Sequence, residues 1–413
     1  MPSKISSEYV YFIFSRMIAL LVKPLFLWFL LNKEFSDAAN VISLFYLTIS
    51  SVMVVFNNEA HFDFYKSLFE SKQRDLRDLF NQKKNYYERF AYHIAIFSSI
   101  TFILTYILSK NIVYAISFFL ILILEKFFDE IQRLLQFKKR FKEWSNIFML
   151  KSITPLVFAV AAFYIFGKET ILIGVYLSFY FLITLYIILY KTTSNDKKLF
   201  IKVLNDLNFK KIINYLKIYK QKLFLNQLQS FSTRNIPLTD RLVVQFFIPD
   251  FLAQISIISQ LGTVCIMFVD YFLIAHRRRE YIAVRKSIFE IVSLTKLMFF
   301  FIVSFISYIL LIATGIYFKL LQEIDLSFLL LLMIGLYYSI FAISQHFAQF
   351  NFWNLKRKYT LSVDLIFYLV VFSVFLFLRR IADFYFSLAI TLLVAHICRL
   401  VMSTIISIKK KNK

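Results

Sequence analysis

The chain reads as an all-α integral membrane protein, with about 12 transmembrane helices in two six-helix lobes around a central cavity. Three observations predict this. Apolar runs of the roughly 20 residues that a bilayer crossing requires recur from end to end of the 413 residues. Lysine and arginine crowd into every second connection between those runs. The longest basic connection, 191–222, separates six runs from six.

The runs fall at 8–31, 38–60, 90–109, 111–128, 145–166, 170–190, 223–239, 251–275, 288–318, 326–349, 359–378 and 384–407. The chain is 59% hydrophobic with a mean hydropathy of +0.66. A soluble protein of this length cannot hide so much apolar surface. An AT-rich genome also favours Phe and Lys codons, so the 52 Phe count only toward lipid contact. The first run is too long for a cleaved signal peptide, and no small-residue cleavage site follows it.

Charge sets the orientation. The segments 1–7, 62–89, 129–144, 191–222, 276–287, 351–358 and 408–413 hold 34 of the 48 Lys and Arg. The alternate connections hold 7, namely Lys33, Lys110, Lys168, Arg241, Lys319, Arg379 and Arg380. Basic loops stay in the cytoplasm, so both termini are expected there. The same bias accounts for the net charge of +23 without nucleic acid as a partner. Membrane lipids are the expected surroundings.

The halves divide as 1–190 (spans 1–6), a cytoplasmic linker at 191–222, and 223–413 (spans 7–12). The linker is Lys-rich with Ile and Leu at helical spacing, the pattern of a helix lying along a membrane surface. A shift of 213 residues lays span 2 on span 8. It matches Asp37 with Asp250, Ile42 with Ile255, Ser43 with Ser256 and Asn57 with Asp270. Sparse identity of this kind fits either chance or parallel repeats related by an axis along the membrane normal.

Polar groups inside the spans are the functional candidates, because each charge at mid-bilayer costs about 2.5–3.5 kcal/mol. Arg16 and Lys23 share one face of span 1, just before Pro24. They read as cations facing a watery cavity, or with Arg16 snorkelling to the inner surface. Span 7 carries Asn226, Gln227, Gln229, Ser230, Ser232, Thr233, Arg234 and Asn235, which no lipid-facing helix would. Lys220, Gln227 and Arg234 recur every seven residues, with Phe224 and Phe231 beside them. Cations bind phosphate, amides bond sugar hydroxyls and rings stack on sugars. That set suits a glycosylated lipid phosphate, unless the segment is an interfacial helix that never spans.

Glu59, beside His61 at the inner end of span 2, and Asp270 near the inner end of span 8 are gating or coupling candidates, or rim salt bridges. Lys151, Lys296 and Arg399 read as snorkelling anchors, and Glu125 and Lys126 as satisfying neighbours at the inner end of span 4. His93, His346 and His396 lack metal-ligand spacing and read as satisfied core or rim histidines. Cys265 and Cys398 lie inside apolar runs and support no disulfide or metal site. With 5 Gly, there is no GxGxxG or GxxxxGK[ST], and no HExxH, DxD or GxSxG.

This layout resembles the polysaccharide-export flippases of the multidrug/oligosaccharidyl-lipid/polysaccharide (MOP) exporter superfamily, in particular the O-antigen-type translocases of lipopolysaccharide assembly. Two stretches carry the likeness. The first is Ser15-Arg16, then Leu31-Asn-Lys-Glu-Phe-Ser-Asp-Ala-Ala39, similar to a Gly-Pro-Glu-Glu-Phe-Gly turn without its glycines. Asn57-Asn58-Glu59-Ala60 stands where a family Asp-x-Gly-Leu would. The second is Asp240-Arg241-Leu-Val-Val-Gln-Phe-Phe-Ile-Pro-Asp-Phe-Leu-Ala-Gln-Ile-Ser256, similar to an Asp-Arg-Phe, turn, Val-Gly-Ile-Tyr-Ser pattern between helices 7 and 8. Asp240 and Arg241 are the best match and join the gating candidates.

The resemblance implies a transporter rather than an enzyme. It would carry an undecaprenyl-pyrophosphate-linked oligosaccharide across the membrane by alternating access through a cationic cavity. No cofactor is implied, and ion coupling stays open. Expected partners are the lipid-linked oligosaccharide and a polymerase and chain-length regulator of the same pathway. The alternatives are an exporter of another lipid or small molecule, or a membrane enzyme such as a polymerase, ligase or glycosyltransferase. A cationic cavity disfavours cationic drugs. Such enzymes usually carry a large outer catalytic loop, and none is visible here.

Overall fold

The computed structural model describes residues 7–32, 36–56, 92, 98–103, 105–107, 110–137, 141–167, 170–190, 213, 228–229, 231–233, 235–263, 294–317, 328–354 and 357–409. The described elements are helices: α1 (Ser7–Asn32), α2 (Ser36–Phe56), α3 (Ile112–Phe137), α4 (Phe141–Phe166), α5 (Ile171–Tyr190), α6 (Thr239–Phe247), α7 (252–263), α8 (Leu294–Tyr317), α9 (Phe328–Asn354), α10 (Arg357–Leu378) and α11 (Phe384–Lys409). Among the described residues, five helices are long and apolar enough to cross a membrane: Lys142–Phe166, Leu297–Tyr317, Phe328–Gln345, Lys358–Leu378 and Phe384–Ser407. The linker 191–222, and with it the expected boundary between two lobes, lies outside the described residues.

On the long helices α8, α10 and α11 the exposed stripe is apolar and polar residues are buried among apolar ones, unlike the pattern of a soluble bundle. On α8, Met298, Ile302, Ile306 and Leu310 recur every fourth residue and are exposed, while Ser304 and Tyr308 are buried. On α10, Leu365, Leu369, Phe372 and Leu376 are exposed and Thr360 and Asp364 buried. On α11, Ile397, Val401 and Ile405 face out while His396, Arg399, Ser403 and Ser407 face in. Water would penalise that arrangement, whereas hydrocarbon favours it, since lipid solvates Leu and Ile but no polar group.

Two compact units divide the chain, Met1–Arg16 with Phe45–Phe231, and Met17–Leu44 with Ser232–Lys413. In the first, α3, α4 and α5 pack on one another. Gly174 lets α5 meet the α4 backbone, because a Cβ there would lie 2.5 Å from the Phe158 carbonyl oxygen and 2.9 Å from the Ala159 Cα. At the end of α4, Gly167 adopts φ +92°, a left-handed value that suits glycine, and its N–H donates to Phe163 O at 2.9 Å. Lys151 is not a snorkelling anchor. Its ammonium pairs with Glu125 across the α3–α4 contact, and both side chains are mostly covered. An acid on the neighbouring helix offers that cation more than the membrane rim does.

In the second unit, α9 packs against α8 and α11, and α10 against α11. Between 235 and 252 the chain is a series of short helical pieces. Pro237 lacks an N–H, so the path tightens into a 3-10 turn at Ile236–Leu238 before α6 begins. Pro249 ends α6, with Ile248 ahead of it at φ −147°, ψ 70°. The sequence placed an outer connection at 240–250, yet 239–247 is helical. Its polar residues Thr239, Asp240 and Arg241 are buried and its Phe246 and Phe247 exposed, so hydropathy dips there without the helix ending.

Asn40 on α2 clips the break after α6. Its Nδ2 donates to Asp250 O and its Oδ1 accepts from Ala253 N–H, both at 2.9 Å. The Ala253 N–H is one of the donors that the start of α7 leaves without a helical partner. Asn40 and Ala253 are 213 residues apart, so two positions equated by the internal shift touch one another.

Candidate functional site

The second unit buries two charged centres among its helices. The first is built on α6. The Asp240 carboxylate is 4% exposed. Its Oδ2 accepts from the Ser259 hydroxyl on α7, from Tyr337 OH at 2.8 Å and from Tyr338 OH at 2.9 Å, both on α9. Its Oδ1 accepts the Arg241 N–H at 2.7 Å. Four donors thus converge on one carboxylate, which as an ionised group can only accept. The Arg241 guanidinium reaches back to Pro237 O at 3.1 Å, a carbonyl at the 3-10 break.

Tyr338 reaches Asp240 because Gly262 leaves it room. A Cβ at 262 would lie 2.3–2.7 Å from the Tyr338 ring. A cavity of about 10 Å³, the scale of a single water, borders Asp240, Ser259, Tyr337, Ile334 and Leu388.

The second centre lies between α10 and α11. Arg399 Nε donates to Asp364 Oδ1 at 3.1 Å, and Arg399 Nη1 donates to Ser344 Oγ on α9 at 2.9 Å. Asp364 Oδ2 also accepts the Thr233 hydroxyl. Tyr368 OH donates to Ser232 O at 2.8 Å, so residues 232–233 are held by α10 at two points. Arg399 was expected to snorkel, but it is 1% exposed and ion-paired. Its position deep in α11 puts Asp364 closer than the membrane surface.

His396 connects the two centres. It lies one turn before Arg399, is fully buried, and stacks on the Tyr337 ring at 5.6 Å with 9° between the planes. Phe341 and Phe367 close around it, with centroids at 5.1 and 4.9 Å. The expectation of a core histidine fits its burial, but that of a satisfied one does not, since among the described residues its Nδ1 has no hydrogen-bond partner. Among the described residues, no group of three His, Cys, Asp or Glu could hold a metal.

Asp240 and Arg241 are therefore the sequence candidates that the structure brings together. Lys23 is half-buried on α1 beside a buried Pro24, and Phe231 is 42% exposed. Arg16 lies on α1, with its side chain outside the described residues. Lys220, Asn226, Gln227, Arg234, Glu59 and Asp270 also lie outside them. Sequence reasoning missed Asp364, Tyr337, Tyr338 and Ser344, and misjudged Arg399. One signal was present: Asp364 and Arg399 are opposite charges, each alone in its span, at nearly equal distance from the turn at 379–383. An antiparallel hairpin brings such positions to one depth.

No family model matches the chain, and no curated protein does. Two solved transporters resemble it in course of chain. A point mutant of the Vibrio cholerae MATE transporter VcmN is 10% identical over 97% of this chain and 95% of its own, with a TM-score of 0.45. The MATE transporter ClbM, in complex with Rb+, is 11% identical over 98% of this chain and 94% of its own, with a TM-score of 0.48.

Proposed function

We propose that the protein is a multi-pass membrane transporter of the MOP exporter type, and that it flips an undecaprenyl-pyrophosphate-linked oligosaccharide for surface polysaccharide assembly. What carries the reading is the buried Asp240–Arg241 cluster. The dipeptide that best matches the exporter pattern directly follows the amide- and cation-rich segment 220–235, and hydrogen bonds tie it to α7 and α9. A ligand held along 220–235 by Lys220, Asn226, Gln227, Phe231 and Arg234 would pull on that cluster. Arg16 and Lys23 would supply the remaining cations for the pyrophosphate. The ligand drives the change of state only to the extent that it binds the inward and outward forms differently. A polymerase and a chain-length regulator would act on the delivered units.

The test is a deletion strain, analysed for surface glycan and for lipid-linked oligosaccharides on each face of the membrane. Complete units accumulating at the cytoplasmic face, with loss of surface polymer, are the expected outcome. Accumulation at the outer face would assign the protein to polymerisation or ligation instead. In complementation, Arg16→Ala and Arg234→Ala should each lower export on the order of tenfold at equal expression, the loss of one charge-assisted phosphate contact. Normal export by both would remove the cationic cavity.

A further inference from the structure

The turn between α10 and α11 carries two adjacent arginines, Arg379 and Arg380, and both are exposed. Only residues 379–383 separate the two helices, and both helices are apolar enough to span. A link that short fixes the turn at the membrane–water boundary, the depth of lipid headgroups. By the charge count it lies on the side where the connections hold few cations.

The turn is well ordered by its own bonds. Arg379 N–H donates to Phe375 O, Arg380 N–H to Phe377 O, and Ile381 and Ala382 N–H to Leu378 O. Asp383 Oδ1 caps α11 by accepting Phe386 N–H at 2.9 Å.

Arg379 is also held from below. Its guanidinium carbon lies 4.6 Å from the Phe247 ring centroid and 5.9 Å from that of Phe384. Phe247, Phe375 and Phe384 contact one another, with centroids 5.2–6.4 Å apart. A guanidinium stacked on rings keeps its N–H edge available for oxygen, whereas an ammonium has no such plane. Among the described residues, no carboxylate pairs with either arginine. Two cations and Asp383 leave the turn with a net positive charge. Around it Phe246, Ile381 and Phe377 are exposed at 71%, 70% and 65%, apolar surface suited to the glycerol and upper acyl region of a lipid.

We propose that Arg379 and Arg380 form a headgroup clamp for an anionic glycerophospholipid of the adjoining leaflet. Arg379 grips the phosphate through its stacked guanidinium edge and Arg380 adds the second charge. A zwitterionic lipid is disfavoured because it brings an ammonium of its own to a positive turn. This site is separate from the two buried centres and does not depend on the transported substrate.

The test uses full-length protein in proteoliposomes with photoactivatable phosphatidylglycerol or phosphatidylcholine at equal mole fraction. Adducts are then mapped by mass spectrometry to residues 375–386. Phosphatidylglycerol should label that segment about tenfold more than phosphatidylcholine, as one bidentate charge-assisted contact predicts. The Arg379→Ala/Arg380→Ala double variant should lose the excess there, with labelling elsewhere on the chain unchanged. Arg379→Lys keeps the charge but not the plane, and should lose most of the excess. Equal labelling by the two lipids, or an excess that survives the double variant, overturns the clamp. An excess fully retained by Arg379→Lys overturns the role of the stacked guanidinium.

Discussion

Replacing Arg399 by Met leaves Asp364 buried beside an apolar side chain of similar length. Arg399 makes two hydrogen bonds, to Asp364 at 3.1 Å and to Ser344 at 2.9 Å. At an effective dielectric constant near 20, unit charges about 4 Å apart attract by about 4 kcal/mol. Removal of one partner from a buried pair costs about 3–5 kcal/mol, because the other charge keeps its desolvation penalty. The two figures agree, so Arg399→Met should destabilise the protein by about 4 kcal/mol. For a unit of about 200 residues that is a fall in Tm on the order of 10 °C. The assay is thermal unfolding in detergent for Arg399→Met, Asp364→Leu and the double variant. Asp364→Leu alone strands the Arg399 guanidinium and should cost a similar amount. The double variant removes both charges and should recover most of the loss, since apolar replacement of a whole buried pair is close to neutral. A coupling energy below about 1 kcal/mol, with the single losses simply adding, would refute the pairing.

Two further substitutions test the neighbouring architecture. Gly262→Ala places a Cβ inside the Tyr338 ring contact. It should cost about 1–3 kcal/mol by overpacking, measured by thermal unfolding, and Tyr338→Leu in the same chain should relieve part of that loss. Asn40→Ala exposes Asp250 O and Ala253 N–H at the start of α7 and should cost about 1–3 kcal/mol. Hydrogen exchange should rise first at residues 250–254.

Helix positions were legible wherever an apolar run ends at a turn. The run 170–190 became α5 at Ile171–Tyr190, and 384–407 became α11 at Phe384–Lys409. The same rule failed at 239–247, where a helix carries its polar face into the unit and reads as a loop. Of the site, Asp240 and Arg241 stood out through a dipeptide match. Their partners could not, because Ser259, Tyr337 and Tyr338 lie 19, 97 and 98 residues away. Tyrosines in apolar runs do not reveal which carboxylate they face. Arg399 was misjudged because a cation in a span has two outlets, the rim or an internal acid, and only the tertiary contact decides between them.

The outward faces of α8, α10 and α11 have to satisfy only lipid. Any mixture of Leu, Ile, Phe and Val does so at nearly equal cost, and mutational drift can rewrite those positions without selection noticing. Ancestry would then be erased first along the stripes that make up much of the chain, and last in the interior. Kinship with remote proteins is better sought there, through an aspartate ringed by hydroxyls and a charge pair at one depth of a hairpin.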